Sequence, residues 1–434
     1  MALLYQNSPL KWLNRYKTGL KGFRRYSKRR SVILGIESSC DDTGCGIIDT
    51  EGNILGESLH SQLLVHLKRD KSGWNSRSNG GIIPPVAGVL HRKNIEQVVE
   101  SALKSANLSM KDIDAVAATV KPGLPMSLEV GTMFGKLLCR KHQKPFIPIH
   151  HMEAHALTAR LQNPSLEFPF LVLLISGGHC LLAVAHSVDK FALLGESIDD
   201  APGEAFDKMA RRMKLRNLPE YYELSGGQAI ELAASKADDP LQFPFTPPLL
   251  QYKDCKFSFA GAKNVCKYYI EKEELSKGVA PDEVIPDVAN LSAAFLLVVT
   301  KHLCQRLQRA MEYVARKSLI PIERQTLVVS GGVACNNFIA QGLEIVCNEY
   351  NYKLVRPPAK LCTDNGIMVA WNAVERWKAN IGVYKDFEGI EVEKISPLGA
   401  SLIEDVSREN ISCKWVKLAK LLDKDNQKGI SQNQ

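Results

Sequence analysis

The chain has 434 residues, is 45% hydrophobic and 24% charged, and carries a formal net charge of +8. Those proportions exclude a disordered or collagen-like chain and leave room for two or three globular domains. The charge is unevenly placed: nine basic residues and no acid lie in 1–30, and without them 46 basic residues face 47 acidic ones.

The leader, with Lys11, Arg15, Lys17, Lys21, Arg24, Arg25, Lys28, Arg29 and Arg30 among Leu, Trp, Tyr and Phe, reads as a mitochondrial presequence. Such segments form cationic amphipathic helices drawn toward a negative membrane potential, which places the protein in the mitochondrial matrix. The alternative is a disordered basic arm that touches nucleic acid. After the leader, an apolar run at 31–37, a polar turn at 38–44 and a second run at 45–48 predict a hairpin. Helical spacing follows at 92–106 and an apolar run at 115–120. A lobe boundary is expected at 162–169, because the opening outline then returns: 170–175 apolar, Ser176-Gly177-Gly178-His179, and 180–185 apolar. Two similar lobes of α/β layers are predicted. The interruption at 176–179 leaves no unbroken span for a membrane, so no stable membrane insertion is expected. Further helices are predicted at 288–317 and 365–379, a strand at 326–330, loops at 68–85, 240–254 and 276–286, and a disordered tail. Eleven scattered cysteines without a C-x-x-C pair argue against a disulfide framework or a cysteine zinc site and fit a reducing compartment.

Several of these turns carry chemistry. His151 and His155 are four apart, so on a helix they share a face and can grip one metal; otherwise they form a polar helix face. Glu153 lies between them and points away, so the H-E-x-x-H of a zinc protease is absent. The hydroxyl-rich turn holding Asp41 and Asp42 suits phosphate oxygens, with an aspartate free to orient water or a metal. Ser176-Gly177-Gly178 and Ser330-Gly331-Gly332 are similar strand-end turns whose glycines admit a ligand close to the backbone. Thr363-Asp364-Asn365-Gly366 opens a helix and reads, alone, as an N-cap.

Taken in order, Gly35-Ile36-Glu37-Ser38-Ser39-Cys40-Asp41-Asp42-Thr43, His151-Met152-Glu153-Ala154-His155, Ser176-Gly177-Gly178-His179, 199–208, Phe257-Ser258-Phe259-Ala260-Gly261-Ala262-Lys263, 330–336 and Thr363-Asp364-Asn365-Gly366 resemble the tRNA N6-adenosine threonylcarbamoyltransferases, formerly called O-sialoglycoprotein endopeptidases. The resemblance spans 32–380, and with the presequence the chain resembles the mitochondrial type of that family. It implies a two-lobed actin-like ATPase and sugar-kinase (ASKHA) fold with the site in the interlobe cleft. It implies one divalent ion, zinc or iron, on His151, His155 and Asp364. Leu174, Ile175, Ser176, Gly177, Gly178, Asp207, Gly227, Glu231 and Asn336, with Cys335 and Thr363 alongside, would meet a nucleotide-type ligand. The implied substrates are threonylcarbamoyl-adenylate from a separate synthase and adenosine 37 of tRNAs reading ANN codons, and the implied assembly is a homodimer.

Departures from the family pattern fall at Pro85, Gly88 and Val89 before His91, at Leu296, at Ser225 in place of Pro, and in a longer loop at 214–224. Asp41 is the expected catalytic group, orienting or deprotonating the attacking amine. A near-neutral body means that tRNA phosphates must meet local patches. Arg211 and Arg212, within an acid-free stretch with Lys208, Lys214 and Arg216, are the expected contacts, and Lys136, Arg140, Lys141 and Lys144 form a second such stretch. The expected segments are a presequence at 1–30, lobes at 31–165 and 166–364, a helical return to the first lobe at 365–412, and a tail at 413–434. The rival readings are a metalloprotease, a kinase or ATPase of the same fold, and a non-catalytic RNA-binding protein.

Overall fold

In a computed structural model of the chain, which describes residues 30–62, 65–66 and 82–422, the run after Ser31 forms β1 (Val32–Glu37), β2 (Asp42–Asp49) and β3 (Ile54–Ser61). The expected presequence, apart from Arg30, and residues 423–434 of the expected tail lie outside the described residues. Helix α1 (Pro84–Ser105), β4 (Ala115–Lys121), α2 (Pro125–His142), β5 (Phe146–His150) and α3 (His151–Gln162) complete the first lobe. Both α1 and α2 begin on proline, whose missing N–H costs nothing in the first turn. The first of them starts well before the spacing at 92–106 indicated, because Pro84-Pro85 presets its φ angles.

The first sheet has the order β3-β2-β1-β4-β5, antiparallel through β1–β2–β3 and parallel through β1–β4–β5. The second lobe repeats it. Its strands β6 (Phe170–Ile175), β7 (Cys180–Ala185), β8 (Phe191–Glu196), β9 (Thr326–Ser330) and β10 (Lys353–Val355) run β8-β7-β6-β9-β10 with the same senses. Strand β11 (Ala400–Ser401) adds to the outer edge of β8. This duplicated α/β arrangement is the two-lobed actin-like architecture implied by the resemblance.

Helices α4 (Pro202–Arg212), α5 (Gly226–Ala234), α6 (Ala260–Lys277), α7 (Val288–Arg316) and α8 (Asn337–Glu349) cover the second sheet. Among the described residues, α7 is the helix long and apolar enough to cross a membrane, but it runs through the core of this lobe. Phe295, fully buried on it, packs edge-on against Phe206 and Phe245. The departure at Leu296 is a core residue of the same helix.

Between the two sheets lie α3 and α9 (Gly366–Ala379), in a shared apolar core with Ile33, Ile149, Leu157, Phe170, Val172 and Trp371. Helix α9 meets the first sheet backbone to backbone. A Cβ on Gly35 would sit 2.3 Å from the Ala370 nitrogen, and one on Gly46 2.5 Å from the Gly366 carbonyl carbon. Three side-chain ties join α9 to α3: Trp371 Nε1 to the Leu157 carbonyl at 3.0 Å, Arg376 Nη2 to Glu153 at 2.5 Å, and Arg160 Nε to Glu375 at 2.9 Å.

Beyond α9 the chain stays on the first lobe through Tyr384, paired with Phe146, and Glu393, whose N–H reaches the Val120 carbonyl. It then crosses over: β11 pairs with β8, and the Leu402 N–H bonds the Leu193 carbonyl. The expected return to the first lobe at 365–412 is therefore corrected for 400–412, which pack on the second. The tail expectation is likewise corrected for 413–422. Gln308 brackets this segment through the Lys414 carbonyl and the Val416 N–H, Trp415 covers Arg309, and Leu421 is buried.

Candidate active site

The ends of α3 and α9 bring the separated motifs together. His151 is the first residue of α3, whose N-cap, His150, accepts the Met152 N–H through its ring at 3.2 Å. Asn365 caps α9 by accepting the Met368 N–H at 2.9 Å. That leaves Asp364, which is not the cap, to turn its carboxylate toward the histidines. Its Oδ1 lies 3.0 Å from His155 Nε2 and 3.6 Å from His151 Nε2. The two imidazoles meet edge to face at 4.7 Å between centroids. One ligand atom from each of the three residues lies within 4.8 Å of the others, a spacing and donor set that fit a divalent metal ion.

Electrostatics agree with that use. Burial opposes a charged His151, but the Asp364 and Glu37 carboxylates outweigh it and raise its pKa to about 9. Burial likewise works against ionised Asp364, and the two histidines still hold it well below the usual carboxylate range. The proton that these carboxylates favour on His151 is one that a bound cation would displace. A third ring, His179 of the second lobe, lies 6.4 Å from His151 and stays neutral, its pKa pushed to about 4 by burial and by the other two histidines.

Glu153, the acid inside the histidine pair, is committed to Arg376 on α9. It is thus turned away from the His151 and His155 face, as its place on the helix predicted, and the protease reading lacks its base.

A cleft of about 990 Å³ opens beside this cluster. Of the residues expected at a nucleotide-type ligand, Gly177, Asp207, Gly227, Glu231, Cys335, Asn336 and Thr363 line it. A Cβ on Gly177 or Gly178 would meet nothing within 4 Å, so that turn stands open. Ser176 holds it by accepting the His179 N–H through Oγ at 3.1 Å. Asn336 caps α8 through Oδ1 and leaves its Nδ2 buried without a hydrogen-bond partner among the described residues. Glu231 accepts the Asn337 N–H at 2.7 Å, and Asp207 accepts that of Gly226 at 2.8 Å. Leu174 and Ile175 are a correction: both are buried in β6, so they carry the Ser176 turn and present no side chain to the cleft.

Phe206, Gln228, Arg356, Pro357 and Pro358 also line the cleft and were missed in the sequence. The Arg-Pro-Pro run before Thr363 was the available signal; apolar Phe206 on a helix offered none. Ser225, where the family usually has Pro, forms a capping box with Gln228 and so starts α5 without it.

Asp41 sits half-buried on the turn between β1 and β2, where burial and the Asp364 charge raise its pKa. His91 of α1 fixes that turn, its ring contacting Thr43 Oγ1 at 2.8 Å and the Cys40 carbonyl at 3.0 Å. The basic stretches are acid-free only in sequence. Arg212 makes a two-pronged pair with Glu274, at 2.8 Å for each bond, and Lys214 joins the same carboxylate at 2.7 Å. Lys208 pairs with Asp200 and Glu204. In the second stretch, Arg140 pairs with Glu388, and buried Lys136 donates to the Glu388 and Ile390 carbonyls. Arg212 is therefore withdrawn as a tRNA contact. Arg211 is exposed on α4, four residues from cleft-lining Asp207.

The family model described as TsaD, tRNA N6-adenosine threonylcarbamoyltransferase, matches residues 70–371. The mitochondrial tRNA N6-adenosine threonylcarbamoyltransferase of Danio rerio is 47% identical over 92% of this chain and 96% of its own length. Its Mus musculus counterpart is 46% identical over 93% and 96%, and the Homo sapiens one 46% over 89% and 91%. Among solved structures, a ROK hexokinase from Thermus thermophilus is similar at a TM-score of 0.40 and 12% identity, covering 79% of this chain and 98% of that one. At that distance it adds nothing to the topology already described. With its motifs gathered at one cleft and close relatives matched almost end to end, the chain belongs to the tRNA N6-adenosine threonylcarbamoyltransferase family.

Proposed function

We propose that this chain works in the mitochondrial matrix, transferring the threonylcarbamoyl group of threonylcarbamoyl-adenylate to N6 of adenosine 37 in tRNAs that read ANN codons. Membership of the family supports the reaction, and the mitochondrial names of the relatives support the compartment. The observation that carries the reading is the meeting of His151, His155 and Asp364 beside the cleft.

In this reading the lobes at 31–165 and 166–364 close on two substrates. The adenosine N6 attacks the carbamoyl carbon, the bond from that carbon to the phosphate oxygen breaks, AMP leaves, and one N6 proton is lost. The mixed anhydride, made by a separate synthase, is already activated, so the protein mainly aligns the reactants. The open glycines at 177, 178 and 227 let phosphate reach the backbone, and Asn336 Nδ2 offers an unused donor. Asp41, with its raised pKa, orients the amine and takes its proton. His151, His155 and Asp364 would hold one ion, with two imidazoles and a carboxylate suiting zinc or iron. Such an ion supplies Lewis-acid polarisation of a phosphate or carbonyl oxygen. Arg211 is the basic group proposed to meet tRNA at the cleft wall.

A homodimer is proposed through the outer face of α1 and α2. Val86, Val89, Met126, Met133 and Leu137 are exposed there, an apolar surface that suits a second copy. Two of the departures help to build it: Val89 is on the surface, and Gly88 lets α1 approach Met126 of α2.

The test combines purified protein, threonylcarbamoyl-adenylate and an unmodified ANN-decoding tRNA, followed by nucleoside mass spectrometry. N6-threonylcarbamoyladenosine is expected with the wild type and is lost with Asp364→Ala. Its absence with intact protein would refute the reading, and ATP turnover without the adenylate would favour the kinase alternative.

A further inference from the structure

Glu37 is the last residue of β1 and has no solvent exposure, yet nothing in the proposed chemistry uses it. A buried carboxylate needs donors, and this one has three. Its Oε1 accepts the Ser39 N–H at 2.5 Å, and its Oε2 accepts the Thr119 hydroxyl at 2.7 Å and faces His151 Nδ1 at 3.2 Å. Ser39 Oγ also lies 3.2 Å from that ring nitrogen. Glu37 and Thr119 stand on β1 and β4, adjacent paired strands of the first sheet, so the carboxylate is held from within the sheet. With Nδ1 occupied in this way, His151 directs Nε2 toward Asp364. His155 has no such support, because its Nδ1 is buried without a hydrogen-bond partner among the described residues.

We propose that Glu37 is a positioning residue for His151, fixing its ring and tautomer so that Nε2 is presented to the cation shared with His155 and Asp364. The inference rests on the metal-site reading above and deepens it: the two histidine ligands are unequal, one set by the sheet and one by its helix alone. A carboxylate behind a ligating imidazole raises its basicity and holds its orientation, and removing such a group costs roughly 10–100-fold in metal affinity.

The experiment uses the full chain, stripped of metal, as wild type and as E37Q, T119V and D364A. Zinc affinity is read by chelator competition, and cobalt(II) binding by its visible absorption. E37Q is expected to weaken zinc roughly 10–100-fold and to shift the cobalt bands while melting cooperatively. T119V, which removes one donor to Glu37 and keeps its charge, is expected to weaken zinc severalfold; it decides the matter if E37Q fails to fold. If D364A lowers affinity while E37Q and T119V keep wild-type affinity and an unchanged cobalt spectrum, the role of Glu37 is overturned and the metal site stands. If D364A binds zinc as the wild type does, the metal reading falls and this inference falls with it.

Discussion

At the scale of single residues, chemistry here depends on which atom of a side chain is left over once the fold has used the others. Asp364 looked like a helix cap, but Asn365 takes that task and releases the carboxylate to the histidines. His155→Ala and Asp364→Ala should each lower threonylcarbamoyl transfer by more than about 100-fold, beyond the loss typical of a residue that only supports a ligand. Steady-state assays with the adenylate and tRNA check this. His302 supplies a pH prediction away from the site. It is fully buried between Phe257 and Phe259 and accepts the Ser258 N–H at 3.1 Å. Burial, with Arg306 nearby, moves its pKa from 6.5 down to about 3. Below pH 6.5 the unfolded chain takes up a proton that the folded chain refuses. Stability is therefore full above 6.5 and falls toward pH 3, by up to about 1.4 kcal/mol per pH unit. His302→Gln should remove that share of the slope in urea melts between pH 6.5 and 4.5, measured as a difference from wild type because His150 and His179 titrate in the same direction.

At the scale of elements, α3 and α9 act as one part. The Arg376–Glu153 pair is nearly buried, so Arg376→Met strands a carboxylate and should cost about 3–5 kcal/mol. The denaturation midpoint should fall accordingly, and an unchanged midpoint would show that the pair is not a joint. Gly46→Ala forces a methyl into the α9 backbone. Overpacking of this kind costs about 1–3 kcal/mol, and here it should also weaken zinc binding by moving Asp364 away from the histidines. The hairpins, both histidines of α3 and the glycine turns were legible because each is a local pattern with its own period or turn chemistry. The basic stretch at 208–216 misled for the opposite reason. Glu274, which neutralises Arg212 and Lys214, belongs to another helix far along the chain. Arg212→Glu should therefore lower stability, since it sets two carboxylates together, and its effect on tRNA binding should follow unfolding instead of salt concentration.

At the scale of the whole molecule, the two lobes share one strand order, and the site lies where their connecting helices meet between the sheets. The outer apolar face of α1 and α2 is joined to the Asp41 turn through His91 and through Ser127, whose Oγ donates to the Cys40 carbonyl at 3.0 Å. Val89→Asp with Met133→Asp should turn the proposed dimer into a monomer by light scattering after size exclusion; a dimer that persists would place the interface elsewhere. The sequence by itself determined the duplicated α/β plan, the His151–His155 pair and the family, because these rest on short ordered motifs and on apolar periodicity. Only the tertiary structure decided that Asp364 meets the histidines, that Glu37 stands behind one of them, that Arg212 is already paired, and that 413–422 pack against α7. Each of those depends on contacts between residues distant in the chain, which no local pattern encodes.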